Sequence, residues 1–445
     1  MNYLTADKLS KYYGDKVLFD DLNFSINAGQ KVALIAKNGA GKSSLLKILT
    51  GKDTSDGGGS VLFHPDIEVG YLQQEPELDA QATVLNEVLY SDNPMLQAIR
   101  AYEESLLSND PKQMEEAIQL MDSSDAWDYE SKIKQILSKL NIHQLDQEIG
   151  SLSGGQQKRV ALAKLLIRNP DMMILDEPTN HLDLDMIEWL EEFLIRQKMT
   201  LFMVTHDRYF LERVCDEILE LDNGRLYKYR GSYFDYLEKK EERQQIEKQT
   251  ISRARSLMKR ELEWVRRSPS ARTTKSKARI DSFHRLKEVA TQKMAADELQ
   301  LMVKTERLGS KIVEFHNVGK SYGDLQLFHN FDYKFQRGEK VGIIGKNGSG
   351  KSTFLNILTG SVSPDTGKVV IGDTVKIGFY TQDGMQLKEG QRVIEVIREI
   401  ADDIPMQGGY SLSAEQFLER FLFPRSMHLN HVEKLSGGEK RRLYL

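Results

Sequence analysis

The chain has 445 residues, more than one ordinary hydrophobic core supports, so its length predicts two or three domains. It contains no run of about eighteen apolar residues, and its start, MNYLTADKLSKYYG, lacks the apolar stretch that a signal peptide needs. The net charge of −5 indicates that the molecule as a whole is not a polyanion-binding protein of uniformly basic surface. Because Cys215 is the single cysteine, no intramolecular disulfide can form, and we expect a cytoplasmic protein.

The sequence contains an internal repeat. Residues 9–51 align without a gap to residues 318–360, and about half of the positions are identical. A later landmark, LSGGQQKR from Leu152, returns as LSGGEKRR from Leu435, but at an offset of 283 instead of 309. The first copy therefore holds 26 extra residues between these landmarks. We place them near 91–130 as a protruding helical hairpin, since this segment is rich in helix formers and helix-start signals.

Each copy opens with an apolar segment, VALIA or VGIIG, which we predict to be a strand that leads through a glycine-rich turn into a helix. The second copy matches G-x-x-x-x-G-K-[ST], in which backbone N–H groups, a lysine and a hydroxyl bind phosphates and Mg²⁺. In the first copy Ala36 replaces the first glycine, which is tolerable at negative φ. The predicted phosphate-binding residues are Ala36, Lys37, Asn38, Gly39, Ala40, Gly41, Lys42, Ser43 and Ser44, and in the second copy Gly345, Lys346, Asn347, Gly348, Ser349, Gly350, Lys351, Ser352 and Thr353.

Two acids follow a predicted buried strand, MMILDEPTNHLD from Met172. Asp176 is placed to hold the shell of a Mg²⁺ ion with Ser43, and Glu177 to orient or deprotonate the attacking water. The next apolar strand, TLFMVT, leads to His206, which can hydrogen-bond a γ-phosphate. ATP and Mg²⁺ are thus the expected ligands, with Glu177 and His206 as the catalytic residues.

A strongly basic segment separates the copies. From Lys239 to Lys287, sixteen Lys or Arg face six Asp or Glu, and we predict two long helices joined by the turn SPSARTTKS. A solvated spacer is the alternative, but one-signed charge of this density favours binding to a polyanion. The residues predicted to bind nucleic acid are Arg266, Arg267, Arg272, Lys275, Lys277 and Arg279.

These landmarks, in this order and spacing, resemble the ATP-binding-cassette (ABC) superfamily, whose signature is LSGGQ. The resemblance implies an α/β fold: two P-loop NTPase domains of the ABC type in tandem, joined by a long helical linker. The corresponding ranges are 1–238, 239–305 and 306–445. It also implies that Tyr13 and Tyr322 stack on adenine, and that Gln74 and Gln382 touch the metal or its water. Asp183 would belong to the loop that couples the two sites.

In this superfamily two cassettes close face to face, and each ATP lies between one phosphate loop and the other cassette's LSGG. By this resemblance Ser436, Gly437 and Gly438 complete the first site, and Ser153, Gly154 and Gly155 complete the second. Ser352 and Gln382 would contact the second metal ion. The sequence has no second acid pair before Leu445, so we expect the second site to bind but not hydrolyse ATP. We also expect a fragment of a protein of at least about 520 residues.

Two tandem cassettes with a basic helical linker look like the ABC-F family, and the short insertion resembles the arm of its Uup-type members. The resemblance implies a translation-associated ATPase that binds the ribosome near the tRNA exit site, with its linker close to tRNA and rRNA. Two alternatives stay open. One is a DNA-binding ATPase in DNA repair or transposon excision, and the other is the ATPase component of a transporter, although we expect no membrane subunit.

Overall fold

The computed structural model describes residues 1–14, 16–37, 39–90, 93–108, 111–266, 287, 309, 311–381, 388, 390–406, 411–435 and 437–445. Across these ranges, no helix combines the length and the apolar character needed to cross a membrane. Apart from Lys287, the predicted second linker helix and the charged turn before it lie outside the described residues.

A six-stranded sheet forms the centre of the first copy. Its strands are β3 (Lys31–Ala36), β5 (Val69–Leu72), β6 (Met172–Asp176), β7 (Thr200–Val204), β8 (Glu217–Asp222) and β9 (Arg225–Arg230), in the order β5-β6-β7-β3-β8-β9. All neighbours are parallel except β8 and β9, which pair antiparallel as a hairpin. The strands predicted from VALIA, MMILD and TLFMVT are therefore confirmed, and they lie side by side. Their carboxyl ends share one edge, where ligands of open α/β sheets bind.

A second, antiparallel sheet covers one face of this centre. It consists of β1 (Asn2–Tyr13), β2 (Lys16–Asn27) and β4 (Ser60–Phe63), in the order β2-β1-β4. Alternate residues of β7 show how the layers meet: Phe202 and Val204 join the apolar cluster under this sheet, whereas Leu201 and Met203 join the cluster under the helices. Both faces of β7 are buried, as a continuous apolar run in a parallel sheet predicts.

Helices cover the other face and the edges of the sheet. They are α2 (Val84–Leu89), α3 (Pro94–Ser108), α4 (Pro111–Ser123), α5 (Trp127–Lys139), α6 (Gly154–Arg168), α7 (Leu184–Arg196) and α8 (Arg208–Val214). The helix α1 (Lys42–Leu49) instead packs into the apolar cluster under the antiparallel sheet. The helices α3 and α4 occupy the segment predicted as a hairpin. Leu96, Ile99 and Met121 from this pair are fully buried in the same apolar cluster as the sheet, so its inner side packs on the first copy.

A long helix, α9 (Tyr233–Arg266), leaves the sheet and begins the linker. It starts five residues before the predicted boundary at 238, and that boundary stays a prediction. The carboxylate of Glu220 in β8, only 3% exposed, fixes its first turns. Tyr236 Oη donates to Glu220 at 3.1 Å, Lys240 Nζ lies 2.7 Å away and Arg243 Nη2 lies 3.0 Å away. The linker helix is therefore attached to the sheet by a buried ion-pair cluster.

The second copy repeats part of this architecture. The strands β10 (Val313–Tyr322), β11 (Leu325–Lys334) and β12 (Thr366–Ile371) form an antiparallel sheet in the order β11-β10-β12, and α10 (Lys351–Leu358) follows the second glycine-rich turn. A small group then contains α11 (Val393–Arg398), β13 (Asp403–Pro405), β14 (Ser411–Ser413), α12 (Ala414–Arg420), α13 (Arg425–His428) and α14 (Gly437–Tyr444). These elements have their own apolar cluster.

The prediction that VGIIG forms a strand is wrong, because residues 341–345 have no strand structure. The first-copy counterpart, β3, is hydrogen-bonded on both sides, to β7 and to β8, and both partners come from residues after the LSGG landmark. Among the described residues, no strand pairs with 341–345. Without neighbours the backbone groups of 341–345 have no ladder to join, and Ile344 is 84% exposed.

Candidate functional site

The first glycine-rich turn joins β3 to α1 at the carboxyl edge of the sheet. Lys42 begins α1, and its Nζ donates to the carbonyl oxygen of Ala36 at 2.8 Å. Gly41 has φ 105°, and a β-carbon added there would lie 3.1 Å from the ring of Phe19. The positive φ favours glycine at 41, and the tight space beside Phe19 adds to this preference. The N-terminus of α1 thus points its free N–H groups into the turn, the arrangement that binds phosphate.

The first phosphate-binding turn tolerates Ala36 in place of the glycine of the motif. Ala36 is not among the described residues with positive φ, so its β-carbon causes no backbone strain. In the second copy, a β-carbon at Gly345 would lie 2.7 Å from Oγ of Ser349. The first copy has Ala40 at the place of Ser349, so the hydroxyl that such a β-carbon would meet is absent. The two differences between the loops compensate each other.

The acid pair lies at the end of β6, beside this turn. Asp176 is 5% exposed and Glu177 8% exposed, and Glu177 has φ 51°, an uncommon conformation for a residue with a side chain. Its backbone N–H donates to the Val204 carbonyl at 2.8 Å. The N–H of His206 donates to Glu177 Oε2 at 3.3 Å, and Nε2 of the same histidine lies 3.6 Å from Oε1. The structure therefore brings the two predicted catalytic residues together.

Burial changes the protonation of these groups. It raises the pKa of Asp176 to about 6, with a further contribution from the charge of Glu177. Burial also raises the pKa of Glu177, and it lowers the pKa of Lys42 and of His206. A carboxyl group with a raised pKa is a better proton acceptor near neutral pH than an ordinary one.

Lys158 is a residue of the site that the sequence reasoning missed. It lies on α6, the helix that begins at the LSGG landmark, and it is only 4% exposed. Burial lowers the pKa of Lys158, opposed by the charges of Asp176 and Glu177, and its own charge opposes the rise of both carboxyl pKa values. The available signal was the repeat: Arg441 is the equivalent residue of the second copy, at the offset of 283.

The donor set fits a Mg²⁺ ion that is bound together with nucleotide phosphates. Asp176 offers a carboxylate, and Ser43 and Gln74 offer a hydroxyl and an amide oxygen, all hard oxygen ligands of the kind that Mg²⁺ prefers. Across the described ranges, no group of three or more His, Cys, Asp or Glu side chains forms a metal site of protein ligands alone. Magnesium commonly binds through one or two carboxylates and substrate phosphates.

The LSGG residues form helix N-termini. Ser153 Oγ accepts from the N–H of Gln156 at 3.3 Å, and Gln156 Oε1 accepts from the N–H of Ser153 at 2.9 Å, which is a capping box. A β-carbon at Gly154 would meet nothing within 4 Å, and the same holds at Gly437 in the second copy. Both glycines therefore leave open space in front of their helices. Gly155 lies against His181, and Gly438 is in the first turn of α14.

The second glycine-rich turn contacts the first copy. Asn347 donates from its backbone N–H to Asp183 Oδ2 at 3.3 Å and from Nδ2 to the carbonyl of His181 at 3.0 Å. Lys346 Nζ lies 3.3 Å from Asp185 Oδ2. The loop after the acid pair, which contains Asp183, therefore joins the phosphate-binding turn of the other copy. Within that turn Lys351 Nζ donates to the Gly345 carbonyl at 2.6 Å, as Lys42 does to Ala36.

The remaining predicted residues lie at the rim or outside the described part of the chain. Tyr13 and Tyr322 end β1 and β10 with rings 59% and 53% exposed, and Gln74 is exposed after β5. Arg266 is the last residue of α9. The predicted site residues outside the described ranges are Asn38, Arg267, Arg272, Lys275, Lys277, Arg279, Gln382 and Ser436.

Comparison with known proteins identifies the family of this chain. The family model described as ABC transporter matches residues 19–180 and 328–445, and a second model with the same description matches residues 219–301. The ABC transporter ATP-binding protein YfmR of Bacillus subtilis is 44% identical over 453 residues, which cover 100% of this chain and 72% of YfmR.

The energy-dependent translational throttle protein EttA is also similar. EttA of Mycobacterium tuberculosis is 37% identical, with 99% of this chain and 80% of EttA covered. EttA of Escherichia coli K12 is 35% identical, with 96% and 78% covered. With two phosphate-binding turns, two LSGG helices and these matches, the chain belongs to the ABC transporter family of ATP-binding proteins.

Proposed function

We propose that this chain hydrolyses ATP at the site of the first copy, with Mg²⁺, and that it works as a translation-associated ATPase of the ABC-F type. The observation that carries the ATPase proposal is the position of Glu177: a buried carboxylate held by the His206 N–H at the edge where Lys42 binds phosphate. Similarity to EttA, a protein named for translation, over 99% of the chain supports the cellular role. The Uup-type subdivision rests on the short insertion and stays a prediction.

In this mechanism Lys42 and the N-terminus of α1 hold the β- and γ-phosphates. Glu177 accepts a proton from the water that attacks the γ-phosphorus, and the bond to the β,γ-bridging oxygen breaks, which releases ADP and phosphate. His206, with a pKa lowered by burial, donates a hydrogen bond to the γ-phosphate from its neutral ring. When bound, Mg²⁺ neutralises charge on the phosphate oxygens, and Ser43, Gln74 and Asp176 are the residues that would hold it.

The contact of Asp183 with Asn347 supports coupling between the copies. The loop that carries Asp183 follows Glu177 within six residues, so a change at the acid pair is transmitted to the second phosphate-binding turn over a short path. We propose that ATP closes the two copies on each other, that the closed form binds the ribosome, and that hydrolysis releases it. The basic linker would contact rRNA and tRNA.

The test uses Glu177→Gln, which removes the proton acceptor and keeps the size of the side chain. We expect ATP hydrolysis to fall by about a hundredfold or more, and the variant to co-sediment with ribosomes in ATP at physiological salt. Glu192→Gln, an exposed change on α7, is the matched control. Co-sedimentation with duplex DNA and not with ribosomes would refute the translation role and favour the DNA-binding alternative.

A linker variant completes this experiment. In the Glu177→Gln background, reversal of Arg266, Arg267, Arg272 and Lys275 to glutamate should weaken ribosome binding and flatten its dependence on salt. ATP binding should stay unchanged, since none of these residues belongs to either phosphate-binding turn. Unchanged ribosome binding would return the linker to the role of a solvated spacer.

A further inference from the structure

A set of contacts behind the exposed Tyr13 ring is not used by the mechanism above. Asp56, in the turn after α1, accepts the backbone N–H of Tyr12 on Oδ2 at 2.8 Å. Its other oxygen, Oδ1, lies 3.2 Å from Lys11 Nζ, and the same ammonium donates to the Thr54 carbonyl at 3.1 Å. The Lys11 side chain is 10% exposed, so its charge is largely removed from water. One carboxylate therefore ties the end of β1 to the segment that follows the phosphate-binding helix.

The second copy repeats these contacts atom for atom. Asp365 accepts the backbone N–H of Ser321 on Oδ2 at 2.8 Å, and its Oδ1 accepts from Lys320 Nζ at 2.6 Å. Lys320 also donates to the carbonyl of Ser363 at 3.1 Å. Each of these residues is 309 positions after its first-copy counterpart, the offset of the repeat. Both copies therefore keep this arrangement although only about half of their aligned positions are identical.

The bonded N–H groups belong to the residues immediately before Tyr13 and Tyr322. These two tyrosines are 59% and 53% exposed, so little packing fixes their position. A hydrogen bond from a backbone N–H to a charged carboxylate is stronger than a neutral one, and it locks the backbone one residue from the ring. The phosphate-binding turn and the carboxylate are connected through a single helix, α1 or α10. The contact therefore sets the distance between each tyrosine and its phosphate-binding turn.

We propose that Asp56 and Asp365, each held by its lysine, are positioning residues that hold the adenine-stacking tyrosines and give the sites their preference for a base. The proposal rests on the ATP binding proposed above. The two copies differ in one respect: Lys11 also pairs with Asp53 at 2.9 Å, whereas Val362 stands at that place in the second copy. If Asp56 is lost, Lys11 keeps Asp53, but if Asp365 is lost, Lys320 has no such second carboxylate. The Nζ of Lys320 lies 5.4 Å from the centre of the Tyr322 ring.

The experiment compares ATP with inorganic tripolyphosphate, which has the charges of the triphosphate but no base. Binding of both is measured by calorimetry on the whole chain for the wild type, Asp56→Ala, Asp365→Ala and the double variant. The double variant should bind ATP about tenfold more weakly, as expected from loss of one charge-assisted hydrogen bond per site. Tripolyphosphate affinity should stay within about twofold. Asp56→Asn and Asp365→Asn keep an acceptor for the N–H and should restore most of the ATP affinity.

Three controls make the outcomes decisive. Asp66→Ala removes a carboxylate that is 83% exposed and should change nothing. Addition of Tyr13→Ala and Tyr322→Ala to the double variant should weaken ATP binding little further, because the same contact has already been lost. Equal losses for ATP and tripolyphosphate would overturn the proposal, since the aspartates would then support only the fold. A wild-type chain that binds ATP no better than tripolyphosphate would overturn both this proposal and ATP recognition itself.

Discussion

Replacement of Glu220 by glutamine tests how firmly the linker helix is attached to the first copy. The change removes the charge of a carboxylate that is 3% exposed and that lies within 3.0 Å of both Lys240 Nζ and Arg243 Nη2. Tyr229 and Tyr236 donate their hydroxyls to the same carboxylate, each at 3.1 Å. Glutamine keeps the size of the side chain and one acceptor oxygen, so the change is mainly one of charge.

The size of the effect follows from the partners that remain. Removal of one member of a buried ion pair costs about 3–5 kcal/mol, because the other charge stays buried without compensation. Arg243 keeps Asp222 at 3.2 Å, and its guanidinium still stacks 3.6 Å from the centre of the Tyr227 ring. We therefore expect the lower end, about 3 kcal/mol, which is on the order of a hundredfold in the local opening equilibrium.

Hydrogen exchange of the amides at 237–247, at the start of α9, measures that opening. Glu220→Gln should speed their exchange on the order of a hundredfold, while amides of β6 and β7 keep their rates. Glu241→Gln is the matched control, because Glu241 is an exposed residue of the same helix. If the two variants exchange alike to within about twofold, the buried cluster does not hold the helix and the reasoning fails.

Two further predictions concern the acid pair. Lys158→Met removes the buried cation near both carboxylates, and it should lower kcat for phosphate release about tenfold with KM for ATP little changed. Lys158→Arg keeps the charge and should restore most of kcat. Lys139→Met changes an exposed lysine, and an equal loss of kcat in that variant would contradict the role of Lys158. Asp176→Asn should raise the melting temperature of the nucleotide-free protein at pH 8 but not below about pH 4. The reason is that a carboxyl pKa raised from 3.8 to about 6 opposes folding where the group is ionised, by on the order of 3 kcal/mol. An equal gain at both pH values would exclude this cause.

The sequence predicted those parts of the fold and site that depend on local patterns. Apolar runs located β3, β6 and β7, and the glycine spacing located both phosphate-binding turns. Glu177 directly follows β6 and His206 comes two residues after the end of β7, and strand ends of one parallel sheet share an edge. The family resemblance added the role of Asp183, whose contact with Asn347 pairs residues 164 positions apart.

The parts that sequence patterns could not predict depend on partners distant in the chain. The segment VGIIG has the composition of β3, but a strand exists only where neighbours supply its hydrogen bonds. Lys158 has nothing unusual in a helix of ordinary pattern, and its role follows only from its burial beside the charges of Asp176 and Glu177. The contact of Lys11 with Asp56 spans 45 residues, and no periodicity announces it.

The buried cluster around Glu220 attaches the start of α9 to the first copy, so this helix can act as a lever. Its 34 residues extend about 50 Å at 1.5 Å per residue. A rotation of the first copy by about 10° would therefore carry the far end of the helix through about 9 Å, by simple proportion from that length. A small angular change at the nucleotide sites would in this way become a displacement larger than a nucleotide base at the far end of α9.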